Sequence, residues 1–187
     1  MDRIPFQPSD GVNRVSRMDY TRLPVVVLLD NVRSLYNTGA FFRTADACAL
    51  EKLVLCGITP RPDQGRKQKH GISKTALGAE ETVAWEYAPS TSSALETAIA
   101  AGYHVAAVET SPQAVDLYDW APVWPLCLVF GHETEGVSPA AAGYCGTHVR
   151  IPMLGRKHSL NVATAAGVVL YELLRKHSER RPWSTGS

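Results

Sequence analysis

From residue 76 to residue 149 the chain has no lysine and no arginine, a gap of 74 residues in a protein that is 20% charged. Cysteine is scarce as well. The four present, Cys48, Cys56, Cys127 and Cys145, lie far apart with no C-x-x-C pair, which excludes a disulfide framework and predicts reduced thiols in a cytoplasmic protein. Cys145 with His148 is the nearest approach to metal-ligand spacing, and two donors cannot complete a tetrahedral site, so no metal is expected. Long apolar runs are also missing. Runs such as the one from Pro24 to Leu29 are short, well under the roughly 20 residues a bilayer requires. The opening Met1-Asp2-Arg3-Ile4-Pro5 lacks the apolar centre of a signal peptide. No membrane partner is expected.

What is present fits one globular domain. The chain has 187 residues and 20.4 kDa, with 45% hydrophobic residues, enough for one core and too little for two ordinary ones. The formal net charge of +1 hides its layout. Residues 1 to 75 hold twelve Lys/Arg against seven Asp/Glu, residues 76 to 149 none against nine, and residues 150 to 187 seven against two. Net charges of +5, −9 and +5 follow. Such asymmetry bears on binding surfaces rather than on fold.

Patterning predicts alternating strands and helices. Residues 1 to 22 are polar without a clear period and read as an N-terminal arm, followed by a domain over 23–177 and a basic tail over 178–187. Strands are predicted at Val25 to Leu29, Leu53 to Cys56, Val83 to Tyr87, His104 to Val108, Leu126 to Phe130 and His148 to Ile151. Helices are predicted at Asn37 to Ala49, Ser93 to Ala101, briefly after Pro139, and from about Leu160 to Lys176. Continuous apolar strands separated by helices imply an α/β fold, a mostly parallel sheet flanked by helices. Ligands of such sheets sit outside the carboxyl ends of the strands. The loops after Leu29, Val108, Phe130 and Ile151 are therefore the ones to inspect.

Two common chemistries find no support there. The loop after the first strand reads Asp30-Asn31-Val32-Arg33-Ser34-Leu35-Tyr36-Asn37-Thr38-Gly39, with one glycine where a dinucleotide turn needs three. Gly155-Arg156-Lys157-His158-Ser159 lacks the upstream glycine of a phosphate loop, and no G-x-S-x-G elbow occurs.

Three stretches carry unusual residues. Asn37, a good N-cap type, opens a helix with Gly39 and then Arg43, which at six residues on is expected close to the same helix face; such a start suits a phosphate. Gly131-His132-Glu133-Thr134-Glu135-Gly136-Val137-Ser138-Pro139 places two carboxylates between glycines directly off a buried strand. Ser138 and Pro139 are a helix start, whereas Glu133 needs a partner because charge burial is costly. Ile151-Pro152-Met153 runs through a basic loop into Ser159-Leu160-Asn161-Val162. Ser159 reads as an N-cap, and Asn161, disfavoured inside helices, reads as a side chain with another job.

Together these stretches resemble the three signature motifs of the SPOUT class of RNA methyltransferases, in its SpoU (TrmH) branch. Asn37, Gly39 and Arg43 match N-x-G-x-x-x-R; Gly131, Glu133 and Gly136 match G-x-E-x-x-G; Ile151-Pro152-Met153 with Ser159-Leu160-Asn161-Val162 match the third motif. The resemblance covers roughly residues 24 to 176. It implies a C-terminal deep trefoil knot, S-adenosyl-L-methionine as cofactor, and methyl transfer to a ribose 2′-hydroxyl of RNA.

The resemblance also assigns residues. Glu109, Gly131, Ile151, Met153, Ser159 and Leu160 are the expected cofactor-binding set, with Met153 and Leu160 as apolar walls. Arg43, Asn37, Glu133, Ser159 and Asn161 are the expected catalytic set. Less than about one arginine in 10⁵ is neutral at pH 7, so Arg43 is expected to hold the RNA phosphate and stabilise the forming alkoxide rather than act as base. Asn37, Ser159 and Asn161 would orient the ribose and Arg43; Glu133 would fix the second-motif loop or the guanidinium of Arg43. The family's dimers complete each site from the other subunit, so a homodimer is expected, with Tyr171 and the last helix as a candidate interface. RNA contacts are expected from Arg43 and from Arg61, Arg66, Lys67, Lys69 and Lys74 in one loop, with Arg175, Lys176, Arg180 and Arg181 at the C-terminus. Minimal members of the branch most often modify tRNA, which makes tRNA the first expected substrate and rRNA the second. The rival reading is a non-catalytic SPOUT-like module that binds RNA.

Overall fold

The computed structural model describes residues 22–180. The N-terminal arm apart from Arg22, and Arg181, lie outside the described residues. In chain order the elements are β1 (Leu23–Asp30), α1 (Leu35–Ala47), β2 (Leu50–Cys56), α2 (Arg66–Ala76), α3 (Ala79–Thr82), β3 (Trp85–Ala88), α4 (Thr91–Ala100), β4 (His104–Val108), β5 (Val115–Asp116), β6 (Leu126–Phe130), α5 (Pro139–Ala142), β7 (Thr147–Arg150) and α6 (Val162–Arg180).

The strands form one seven-stranded sheet in the order β3-β2-β1-β6-β4-β7-β5, and every pairing is parallel. Its central strands β1 and β6 are buried along nearly their whole length. That is why both read as unbroken apolar runs instead of an alternating pattern. Alternate residues serve opposite faces. Val25, Val27 and Leu29 pack with Phe41, Phe42 and Ala45 of α1, Ile72 of α2 and Val169, Leu170 and Leu173 of α6. Val26 and Leu28 pack on the other face with Leu95 of α4 and Ala141 of α5. Phe41 meets Phe130 edge-on at 5.1 Å between ring centroids. Each such buried ring contributes about 1.5–3 kcal/mol of burial.

Four expectations change. The basic stretch read as one loop contains α2 from Arg66 to Ala76. It escaped notice because only Gly71, Ile72 and Ala76 of this helix are buried, too few apolar positions to show a period. Strand β3 begins at Trp85, since Ala79–Thr82 turns helically and Val83 ends that turn. The two-residue β5 was not foreseen, being too short to carry a pattern. Finally, α6 starts at Val162 and continues to Arg180, so the boundary at 178 falls inside a helix.

Cys48, Cys56 and Cys127 are buried, Cys145 is partly so, and all four are free thiols. Burial pushes Cys48 and Cys145 up to about 11 and Cys56 and Cys127 up to about 12.

Candidate active site

The geometry of the site starts at the first turn of α1. Ser34, not Asn37, caps this helix, its Oγ accepting from the Asn37 N–H at 3.2 Å. Asn37 therefore sits three residues inside, with its side chain free for another use. Its Nδ2 donates to Glu133 Oε1 at 2.9 Å, and its Oδ1 accepts from Asn161 Nδ2 at 3.2 Å. The orientation is forced: an ionised carboxylate only accepts, so the amide nitrogen must face Glu133 and the oxygen must face Asn161. Asn161 in turn caps α6, its Oδ1 accepting from the N–H groups of Ala163 at 3.0 Å and Thr164 at 3.4 Å. This corrects the Ser159 cap and the place of Asn161 inside the helix, while the Asn161 side chain does hold a further partner in Asn37. Ser159 lies ahead of the helix as an exposed loop residue, and Asn161 is the cap.

Glu133 completes the relay. Its carboxylate also accepts from the backbone N–H groups of Arg33 at 3.2 Å and Ser34 at 3.1 Å, at the positive end of the α1 dipole. The three motifs, 96 and 124 residues apart along the chain, are thus joined through Glu133, Asn37 and Asn161. Glu133 thus ties the second-motif loop to the start of α1; Arg43 makes no hydrogen bond or ion pair with any described residue.

Partial burial pushes the Glu133 carboxyl up, but the donors from Asn37, Arg33 and Ser34 outweigh it and hold the group below its ordinary 4.5. A depressed folded value means that the contribution to stability is present above the ordinary carboxylate range and is lost as pH falls through the folded value. Glu133→Gln should therefore melt below the wild type at pH 7, with the gap closing as the buffer is taken below the ordinary carboxylate range. Parallel melting curves over the whole range would remove Glu133 from the acid response.

A cavity of about 380 Å³ opens beside this relay, over the carboxyl ends of the neighbouring strands β6, β4 and β7. All six residues of the expected cofactor set line it: Glu109 after β4, Gly131 after β6, and Ile151, Met153, Ser159 and Leu160 after β7. Glu133 and Asn161 reach it as well, while Asn37 and Arg43 are not among its lining residues. Three of the four loops singled out by sequence thus converge on one cavity. The fourth, after β1, is tied to it through Arg33, Ser34 and Glu133.

The glycines of the motifs have steric reasons. A Cβ on Gly131 would lie 2.1 Å from the carbonyl carbon of Gly136, and one on Gly39 would lie 2.2 Å from the Ile72 carbonyl oxygen of α2. Gly136 has φ +74°, and closes a tight turn in which its N–H and carbonyl exchange hydrogen bonds with His132 at 3.0 and 2.9 Å. Sequence reasoning missed two residues that shape this region. His132 Nδ1 accepts from the N–H groups of Thr134 and Glu135 at 3.2 and 3.3 Å, which fixes its proton on Nε2. Asp30 is buried at the end of β1, where it accepts from Thr91 Oγ1 at 2.6 Å and the Ser138 N–H at 2.8 Å. A charge closing an otherwise apolar strand was the available signal.

Arg43 does not share a face with Asn37. Six residues at about 100° each place it about 120° away around the helix, and its side chain is exposed. Of the other basic positions, Arg66, Lys67, Lys69 and Lys74 are exposed on α2. Lys69 lies 3.9 Å from the equally exposed Glu81, a pair of little energetic weight. Arg61 is committed elsewhere, its guanidinium 4.2 Å over the Tyr87 ring and paired with Asp63 at 3.2 Å. Lys176 is also a correction. Only 12% of its side chain is exposed, and its ammonium donates to the carbonyls of Leu117, Tyr118 and Trp120, so it staples α6 to that loop. Arg175 is held by Glu172 and Glu179, and Arg180 is exposed at the helix end.

An open parallel α/β sheet with a cleft over adjacent strand ends, its loops joined by hydrogen bonds, defines an α/β class of ligand-binding domain. Within that class, residues 24–171 match the SpoU rRNA methylase family, and the chain belongs to that family. The 23S rRNA (guanosine-2'-O-)-methyltransferase RlmB of Pseudomonas syringae pv. tomato is 34% identical over 159 residues, covering 84% of this chain and 61% of the relative. The chain thus spans less than two thirds of that relative's length. An AdoMet-bound rRNA methyltransferase structure from Sinorhizobium meliloti superposes with a TM-score of 0.73 at 30% identity, covering 83% of this chain and 60% of the other. A structure described for 2-OH methylation of C/U34 on tRNA gives 0.71 at 28% identity, covering 83% of this chain and 97% of that one. Among the described residues no helix is long and apolar enough to cross a membrane.

Proposed function

We propose that this chain transfers a methyl group from S-adenosyl-L-methionine to a ribose 2′-hydroxyl of RNA. The carrying observation is the Glu133–Asn37–Asn161 relay, which holds the three motif loops of the family around one cavity. The cavity suits the cofactor by its lining. Ile151, Met153, Leu160 and Val162 offer apolar walls for an adenine ring, Glu109, Glu133 and Glu135 supply negative charge for a cation, and the Gly131–Gly136 backbone leaves no room for a side chain. When bound, the cofactor supplies a methyl group on a positively charged sulfur. Asn37 and Asn161 position the second and third motif loops, Ser159 faces the ribose, and Arg43 holds the RNA phosphate and stabilises charge on the 2′-oxygen.

Arg43 stands outside the cavity of its own chain, which supports a homodimer in which it serves the partner's site. The exposed Tyr171 on α6 is a candidate for that interface. A monomer in sedimentation at micromolar concentration would contradict this. We further take the chain after β7 to be knotted. In support, Ile151, Met153 and His158 to Asn161 line one cavity with the loops after β4 and β6, with Thr110 Oγ1 donating to the His158 carbonyl at 3.4 Å, before α6 is stapled to Leu117, Tyr118 and Trp120. The catalytic unit runs from residue 23 to the end of α6 at Arg180 and acts in the cytoplasm.

Transfer RNA is the favoured substrate, supported by the near-complete coverage of the C/U34 structure; ribosomal RNA is the second reading, supported by RlmB. Mass-spectrometric mapping of 2′-O-methyl nucleotides in tRNA and rRNA from cells lacking the protein decides between them. One missing position is expected. Complete maps in both RNAs, with no heat of AdoMet binding by calorimetry, would favour the non-catalytic module.

A further inference from the structure

The exposed face of α1 carries two side chains that the fold does not use. Tyr36 is 55% exposed, and neither its hydroxyl nor the guanidinium of Arg43 has a hydrogen-bond partner among the described residues. Seven residues apart, they lie within about 20° of each other around the helix and about 10.5 Å apart along it. The partly buried Ala40 stands between them on that face, and Gly39, also between them, is covered by Ile72 and Thr75 of α2. The buried positions Thr38, Phe41, Phe42 and Ala45 turn away from it. Asn37, next to Tyr36, enters the relay beside the cavity.

The surroundings of Tyr36 are cationic. On α2, Gly71 packs so closely on Leu35 that a Cβ there would lie 2.8 Å from Leu35 Cδ1. Lys67 and Lys74 flank Gly71 at i−4 and i+3 and so share its side of α2. Thr75 Oγ1 donates to the Tyr36 carbonyl at 2.9 Å, which locks the two helices at this turn. An exposed aromatic ring thus shares a helix face with Arg43 and stands beside a helix that carries the exposed Lys67 and Lys74. A protein partner with an apolar surface would gain little from a single ring on so basic a surface. A polyanion carrying flat bases fits both features, because stacking on tyrosine tolerates any base and phosphates meet the cations.

We propose that Tyr36 is the stacking platform for a base of the RNA strand whose phosphate Arg43 holds, with Lys67 and Lys74 tracking the adjoining backbone. This rests on the RNA reading above and adds to it a residue that sets how the strand is held at the site. It also gives the +5 end of the chain a defined surface rather than a diffuse one.

The test uses the full chain and a mixed-sequence single-stranded RNA oligonucleotide bearing 2-aminopurine. Wild type and Tyr36→Phe should bind it and quench its fluorescence, whereas Tyr36→Ala should lose the quench and bind at least about tenfold more weakly, as expected for one stacked base. Lys67→Ala with Lys74→Ala should lower the dependence of log affinity on log salt by about 1.4, at about 0.7 for each lost contact to a single strand, and leave the quench in place at low salt. Because the Tyr36 side chain is exposed, circular dichroism and melting should match across these variants. Unchanged affinity and quench in Tyr36→Ala would overturn the proposal. So would a failure of the wild type to bind the oligonucleotide, or a Tyr36→Ala variant that sediments as monomer where the wild type is a dimer, which would assign the ring to a second copy of this chain. Calorimetry with AdoMet and methyl transfer to bulk tRNA separate this from the function itself. A chain that stacks the base but transfers no methyl group loses the activity and keeps the platform; one that methylates normally with Tyr36→Ala loses only the platform.

Discussion

Arg43→Ala is expected to lower methyl transfer to bulk tRNA by at least about a hundredfold while leaving AdoMet affinity within about twofold. The size follows from removing one preorganised charge from the position where negative charge develops, which costs about 10² to 10³ in rate. The selectivity follows from geometry. Arg43 is exposed on α1 and does not line the cavity, so cofactor binding has no reason to change. The side chain also makes no contact that folding needs, so the melting temperature should hold. Arg43→Lys should recover only part of the rate, because an ammonium keeps the charge and loses the planar fork that grips a phosphate. The measurement is transfer of labelled methyl groups under saturating cofactor, set beside calorimetry. Near-normal transfer by the alanine variant would remove Arg43 from any essential role and with it the argument for a site completed by a partner subunit.

Gly131→Ala should weaken AdoMet binding by at least about tenfold and destabilise the fold by about 1–3 kcal/mol. The new methyl group would meet three backbone atoms of Gly136 and Val137 at 2.1 to 2.2 Å. Backbone cannot rotate aside as a side chain can. The turn must therefore move, and with it the His132–Gly136 pairing, the cavity wall and the carboxylate of Glu133. Gly146→Ala is the control, since a Cβ there meets nothing within 4 Å, and a surface change of this kind stays within about 0.5 kcal/mol. Equal melting and equal cofactor affinity for both variants would show that the Gly131 contact carries no weight.

The strand core was legible in the sequence because burial on both faces leaves a plain mark. Leu126 to Phe130 and His104 to Val108 were placed to the residue, and the alternating helices implied the parallel order. Helix ends were less legible. Asn37 and Ser159 have the chemistry of N-caps, yet Ser34 and Asn161 do the capping, since several polar residues precede each helix and only backbone geometry selects among them. Helix α2 was invisible, because glycine-mediated contact with α1 replaces the apolar stripe that would reveal it.

The charge gap between residues 76 and 149 has a similar division. Sequence alone determined that basic residues gather at the ends of the chain and that Glu109, Gly131 and Met153 sit on strand-end loops; Ile151 and Leu160, read as the end of a strand and the start of a helix, lie in the loop between β7 and α6. It could not say which cations are free. Lys176 and Arg61 carry the same charge as Lys67 and Lys74, but the fold buries one under three carbonyls and lays the other over a tyrosine ring. Nor could it join Asn37 to Glu133 and Asn161. Those residues are 96 and 124 positions apart, and what brings them within hydrogen-bond reach is the order of strands in the sheet, a long-range arrangement that no local propensity or spacing encodes.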